Sequence, residues 1–133
     1  MAAVTVEQMK TRTKQFSLRI IRMFQLLPKS DEARVIGKQV LRSGTSVGAN
    51  YRATCRARSD KEFLAKIGIV IEEADETAFW LELLTEAQIV TATKLGDLLK
   101  ETNELLAIFG ATQRTVRNRV KAAKSKVKLS NER

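Results

Sequence analysis

The sequence has no histidine, one cysteine and one proline, and only 5% of its residues are aromatic. Without histidine it lacks the commonest general base and the partner that a nucleophilic cysteine usually needs. It also lacks the Glu-x-x-His pairs with which helical bundles hold paired metals. No catalytic residue, metal site or cofactor is therefore expected, and Glu72, Glu73 and Glu76 read as salt-bridge partners rather than ligands. A single cysteine, Cys55, excludes an internal disulfide and fits a reducing compartment. No apolar run approaches the ~18 residues of a membrane span, and the opening MAAVTVEQMKTRTKQ has no apolar signal segment. A cytoplasmic protein with no membrane partner is the expectation.

Ala, Leu, Glu, Lys and Arg dominate what is present, a balance that favours helix over strand. Met9, Phe16, Ile20, Met23 and Leu27 mark one helical stripe, which Pro28 ends. Ser30 before Asp31 and Glu32 is a start signal, and Ser59 with Glu62 has capping-box spacing. The chain thus predicts an all-α, antiparallel up-down-up-down four-helix bundle over residues 1–115, with helices at about 4–27, 31–58, 60–89 and 93–115. Gly110 is a candidate break or bend. Residues 116–133 read as a basic extension, helical at first and then frayed.

The formal charge of +9 is unevenly distributed: residues 60–90 carry a net −6, whereas 1–27, 28–59 and 91–133 carry +4, +5 and +6. The third helix is the acidic one. Its carboxylates can neutralise arginines of neighbouring helices, within a subunit or between subunits, and the remaining basic surface suits a polyanion.

The stretch RSGTSVGANYRATCRARS, from position 42, is not a phosphate loop: no Lys follows its glycines, and no buried strand precedes it. It continues a helical stripe. On a helical wheel Gly44 joins Val40, Val47 and Tyr51 on the apolar face, and Gly48 lies at the margin with Leu41 and Cys55. Glycine inside a helix costs about 1 kcal/mol relative to alanine, which close packing can offset. The close approach is made by the core or by another subunit, so Leu41, Gly44, Gly48 and Cys55 are interface candidates. Phe79 and Trp80 join them, because adjacent residues point about 100° apart and cannot both serve one narrow stripe.

Opposite that apolar face, Arg34, Lys38, Arg42, Arg52 and Arg56 form a basic ridge. Arg114, Arg117, Lys121, Lys124 and Lys128 form a second one beside Val116, Val120, Ala123 and Val127. Each ridge reads either as a nucleic-acid contact or as something blander: salt-bridge partners of acidic helices for the first, a solvated tail or docking segment for the second.

The segments LPKSDEA, LRSGTSVGANYRAT, RARSDKEF and EEADETAFWLELL resemble the bacterial four-helix-bundle family of proteins encoded by intervening sequences in large-subunit ribosomal RNA genes. The likeness covers roughly residues 15–110. It extends to the accessory variability proteins of diversity-generating retroelements, which partner a reverse transcriptase and nucleic acid. The resemblance implies a homopentameric barrel and a non-enzymatic role in binding RNA or DNA, and carries over no catalytic residues. The residues and the resemblance together predict a homo-oligomeric protein that binds structured RNA or DNA through phosphates with weak sequence specificity. The alternative is a protein-interaction scaffold or accessory subunit, for example of a polymerase or reverse transcriptase.

Overall fold

The computed structural model describes residues 4–132, which form four helices and, among the described residues, no strand. Helix α1 spans Val6–Gln25, α2 Asp31–Thr54, α3 Asp60–Glu86 and α4 Ala92–Asn131. The starts follow local chemistry. Thr5 and Gln8 form a reciprocal capping box on α1, and the hydroxyls of Ser30 and Ser59 accept the N–H groups of Ala33 and Glu62. Helix α3 ends in a Schellman turn. Gln88 adopts the left-handed conformation (φ 60°), and the Ile89 N–H reaches back to the Leu84 carbonyl at 3.0 Å.

The core draws on all four helices, through Phe16 and Ile20, Val40 and Val47, Ile67, Val70 and Leu81, and Leu105 and Phe109. Tyr51 lies against Phe109 with ring centroids 5.6 Å apart, and its burial pushes the phenol pKa up. Buried hydroxyls are satisfied locally: Thr13 and Thr102 donate to the carbonyls of Met9 and Leu98, and Thr77 bridges the Glu73 carbonyl and the Ser43 hydroxyl.

Three glycines of α2 seat α1. A β-carbon at Gly37 would lie 3.2 Å from Phe24 and 2.6 Å from Leu27, just past the end of α1, one at Gly44 2.8 Å from Ile20, and one at Gly48 3.2 Å from the Thr13 carbonyl oxygen. The pairing runs antiparallel, as its falling partner numbers require. Of the two makers of the close approach that the sequence leaves open, the core of the same chain supplies it at Gly44 and Gly48, through α1. Leu41 and Cys55 are half-buried against the core.

Helices α1 and α4 are joined by Arg12, whose guanidinium donates to both oxygens of Glu101 at 2.8 and 2.6 Å and to Glu104 at 2.8 Å. This bidentate bond holds the half-buried Glu101 carboxyl below its ordinary range, against the upward push of desolvation. A depressed folded-state pKa contributes stability that is full above the unfolded value and is lost as pH falls through the folded one. Arg12→Ala is therefore expected to lose about 1 kcal/mol at neutral pH and to show a shallower further loss on acidification below about pH 4.5. Urea unfolding at a series of pH values checks this; parallel curves for the two proteins would count against it.

The end of α4 differs from expectation. The helix passes through Gly110 and runs unbroken to Asn131, so neither the boundary at 115 nor the frayed tail is a feature of the backbone. The physical reason is composition: after Gly110 the chain holds no glycine or proline and is rich in Ala, Lys and Arg. Arg119 also pins the helix to the start of α3, donating to Asp60 at 2.9 Å.

Candidate functional site

The fold divides the α2 ridge into two parts. Arg42 faces α3, where it donates to Glu73 at 3.2 Å and to Glu76. Glu76 also accepts the Trp80 indole N–H at 3.1 Å. The Arg42 and Trp80 hydrogen bonds lower the Glu76 pKa. Arg34 lies 3.4 Å from Asp31 of its own helix, and Lys38 lines a recess with Phe24 and Pro28 beside the α1–α2 turn. The first half of the ridge is thus largely engaged in structural contacts, made inside one subunit.

The second half meets α1. Arg52 in the last turn of α2 and Arg56 just beyond it face Lys10 and Lys14, one helical turn apart on α1, across a groove between the two helices. The groove floor is polar and built of small residues. It is formed by Thr13, Ser17 and Gly48, and the Ser17 hydroxyl donates to the Thr13 carbonyl at 3.1 Å. Lys10 lies 3.3 Å from the exposed Glu7, whereas Lys14, Arg52 and Arg56 make no ion pair among the described residues. Four cations with one carboxylate between them form a local positive potential, and the small floor residues let a linear anion approach the backbone. Lys10 and Lys14 are absent from the sequence-based candidates because the groove exists only once α1 and α2 pack together. Their signal in the sequence is the spacing of four beside the Met9 and Thr13 face.

The second ridge stands apart from this groove. Arg114, Arg117, Lys121, Lys124 and Lys128 are exposed along the last five turns of α4 and make no ion pair among the described residues. Val116 is buried, but beyond Arg119 the helix overhangs the end of α3 and Val127 is 59% exposed. Of the aromatic pair, Trp80 packs against the core while Phe79 points outward, 52% exposed, with the two rings edge to face at 5.0 Å. Among the described residues no three metal-ligating side chains converge, and no helix is long and apolar enough to cross a membrane.

The same architecture is found elsewhere. A crystal structure of a protein of unknown function from the S23 ribosomal protein family of Bacteroides thetaiotaomicron superposes with a TM-score of 0.76 at 31% identity, over 82% of this chain and 97% of that one. No curated protein matches the sequence. The family described as 23S rRNA-intervening sequence protein matches residues 7–111, which include α1 from Glu7 onward, all of α2 and α3, the basic groove and α4 as far as Ala111. On that match the chain belongs to the 23S rRNA-intervening sequence protein family.

Proposed function

We propose that the protein is a non-enzymatic, homo-oligomeric, cytoplasmic protein that holds structured RNA or DNA by its phosphates, with little sequence preference, and that it assembles as the pentamer its family resemblance implies. The observation that carries the nucleic-acid reading is the α1–α2 groove, where Lys14, Arg52 and Arg56 lack acidic partners among the described residues. Arginine and lysine lining one track neutralise successive phosphates, a contact that carries affinity without sequence information. The family name, tied to 23S ribosomal RNA, favours RNA over DNA. A scaffolding role is the second reading, favoured by the exposed Phe79 and Val127.

Affinity for a structured RNA measured across a salt series tests the proposal. Four groove cations predict a slope of log K against log salt of about −3 to −4. Arg34→Ala and Arg42→Ala are expected to leave affinity nearly unchanged, because those side chains already face carboxylates. Absence of binding at about 50 mM salt, or a flat salt response, would rule the reading out.

A further inference from the structure

The α4 overhang and the outer face of α3 are each incomplete surfaces, and they complement each other. The apolar stripe of α4 runs through Leu98, Leu105, Phe109 and Val116 in the core and then continues as Val120, Ala123 and Val127 past the end of the bundle. Cations flank this continuation on both sides: Arg117, Lys121, Lys124 and Lys128 on one, Lys126 on the other. No acidic residue occurs between Glu104 and Glu132. A solitary helix of this length is marginal in water, and like charges three and four apart weaken it further. Apolar cover and negative charge are what it lacks.

The outer face of α3 offers both. Phe79 is exposed there, and Glu72, Asp75, Glu82 and Glu86 recur around it at spacings that place all four on its side of the helix. None of these carboxylates makes an ion pair among the described residues. The overhang cannot reach this face in its own chain. Arg119 sits at Asp60, the first residue of α3, and everything beyond it points away, while Glu72 lies about 18 Å along α3 in the other direction.

We propose that the overhang of one copy, residues 117–131, docks on the acidic face of α3 around Phe79 of a second copy. The overhang and the acidic rim are each about 20 Å long, and the apolar stripe from Val120 to Val127, about 10 Å, fits beside Phe79 within that length, so one covers the other in a single helix-on-helix contact. Each copy carries both surfaces at different places, which makes the contact head-to-tail and lets it propagate into a closed ring or an open chain. A phosphate backbone is the weaker occupant, since it gives Val120 and Val127 nothing to pack against. The proposal rests on the homo-oligomeric part of the function above and is independent of nucleic-acid binding.

Sedimentation velocity of the full chain, free of nucleic acid, with Val120→Asp/Val127→Asp and with Glu72→Lys/Glu82→Lys, tests it. These positions lie on or near the surface, and helix content by circular dichroism confirms folding of each variant. The expected result is self-association of the unaltered chain and about ten-fold or greater weakening in each variant. A mixture of the two variants should form a one-to-one pair and nothing larger, because one intact overhang then meets one intact α3 face. Unchanged assembly of both variants, or no pair in the mixture, overturns the docking contact while leaving a homo-oligomer built on another surface. A monomeric unaltered chain overturns the homo-oligomer as well. Unchanged assembly with lost RNA affinity in the Val120→Asp/Val127→Asp variant would instead make the overhang a nucleic-acid arm.

Discussion

Replacing Lys14, Arg52 and Arg56 together by glutamate is expected to lower affinity for structured RNA by about 100-fold or more at low salt, with a loss of folding stability of no more than about 1 kcal/mol. Each cation removed forfeits a phosphate contact and the counterions its binding released, and each carboxylate added repels the same backbone. The three side chains are exposed and make no ion pair among the described residues, so the folded chain loses no intramolecular partner with them. Relief of the clustered cations offsets the cost of an anion at Arg52, in the last turn of α2, where the helix dipole favours a cation. The same exchange at Arg42 has the opposite profile. Arg42→Glu sets three carboxylates together, with Glu73 and Glu76, and costs stability while touching no groove residue. A fluorescence-anisotropy titration of both variants separates the two sets. An affinity loss in Arg42→Glu that is the same per charge exchanged as in the triple variant would mean that net charge, rather than the groove, governs binding.

The sequence revealed helices and their starts well because both are local. Thr5, Ser30 and Ser59 act within four residues of themselves, and the stripes through Phe16 and Ile20 or Ile67, Val70 and Ala74 follow from a period that one helix sets alone. What depends on a second helix was less legible. A wheel drawn for α2 places Arg42, Arg52 and Arg56 on one ridge, but whether each meets Glu73 on α3 or Lys14 on α1 is decided by how the helices pack. The glycines show the same limit. Their position on and beside the apolar face signalled close approach, while its maker, Ile20 and Thr13 of α1, and the third member, Gly37, emerge only from the pairing. The end of α4 is a different case: residues 116–133 read as a basic extension that frays, whereas the helix continues to Asn131 on a stretch that has good helix formers and no glycine or proline.

Gly44→Leu is expected to destabilise the protein by about 3 kcal/mol, and Gly44→Ala by about 1 kcal/mol, because α1 closes directly over this position. The first atom added already lies 2.8 Å from Ile20 Cγ1 and 2.9 Å from its Cγ2. Ile20 is fully buried and β-branched, so it has no free rotamer in which to withdraw. Alanine recovers about 1 kcal/mol of helix propensity against an overpacking strain of about 2 kcal/mol; leucine adds bulk with nowhere to go. Gly68 is the control. It too lies inside a helix, but a β-carbon there meets nothing within 4 Å, so Gly68→Ala is expected to stabilise the fold by the propensity term alone, about 1 kcal/mol. Urea midpoints for the three variants check the sign at each site, and a stabilising Gly44→Ala would show that α1 is not held by this contact. The consequence reaches the groove. Lys10 and Lys14 belong to α1 and Arg52 and Arg56 to the end of α2, so strain that lifts α1 from Gly44 also widens the track between them. Gly48→Ala, whose β-carbon would sit 3.2 Å from the Thr13 carbonyl on the groove floor, probes that coupling: RNA affinity should fall more than stability does.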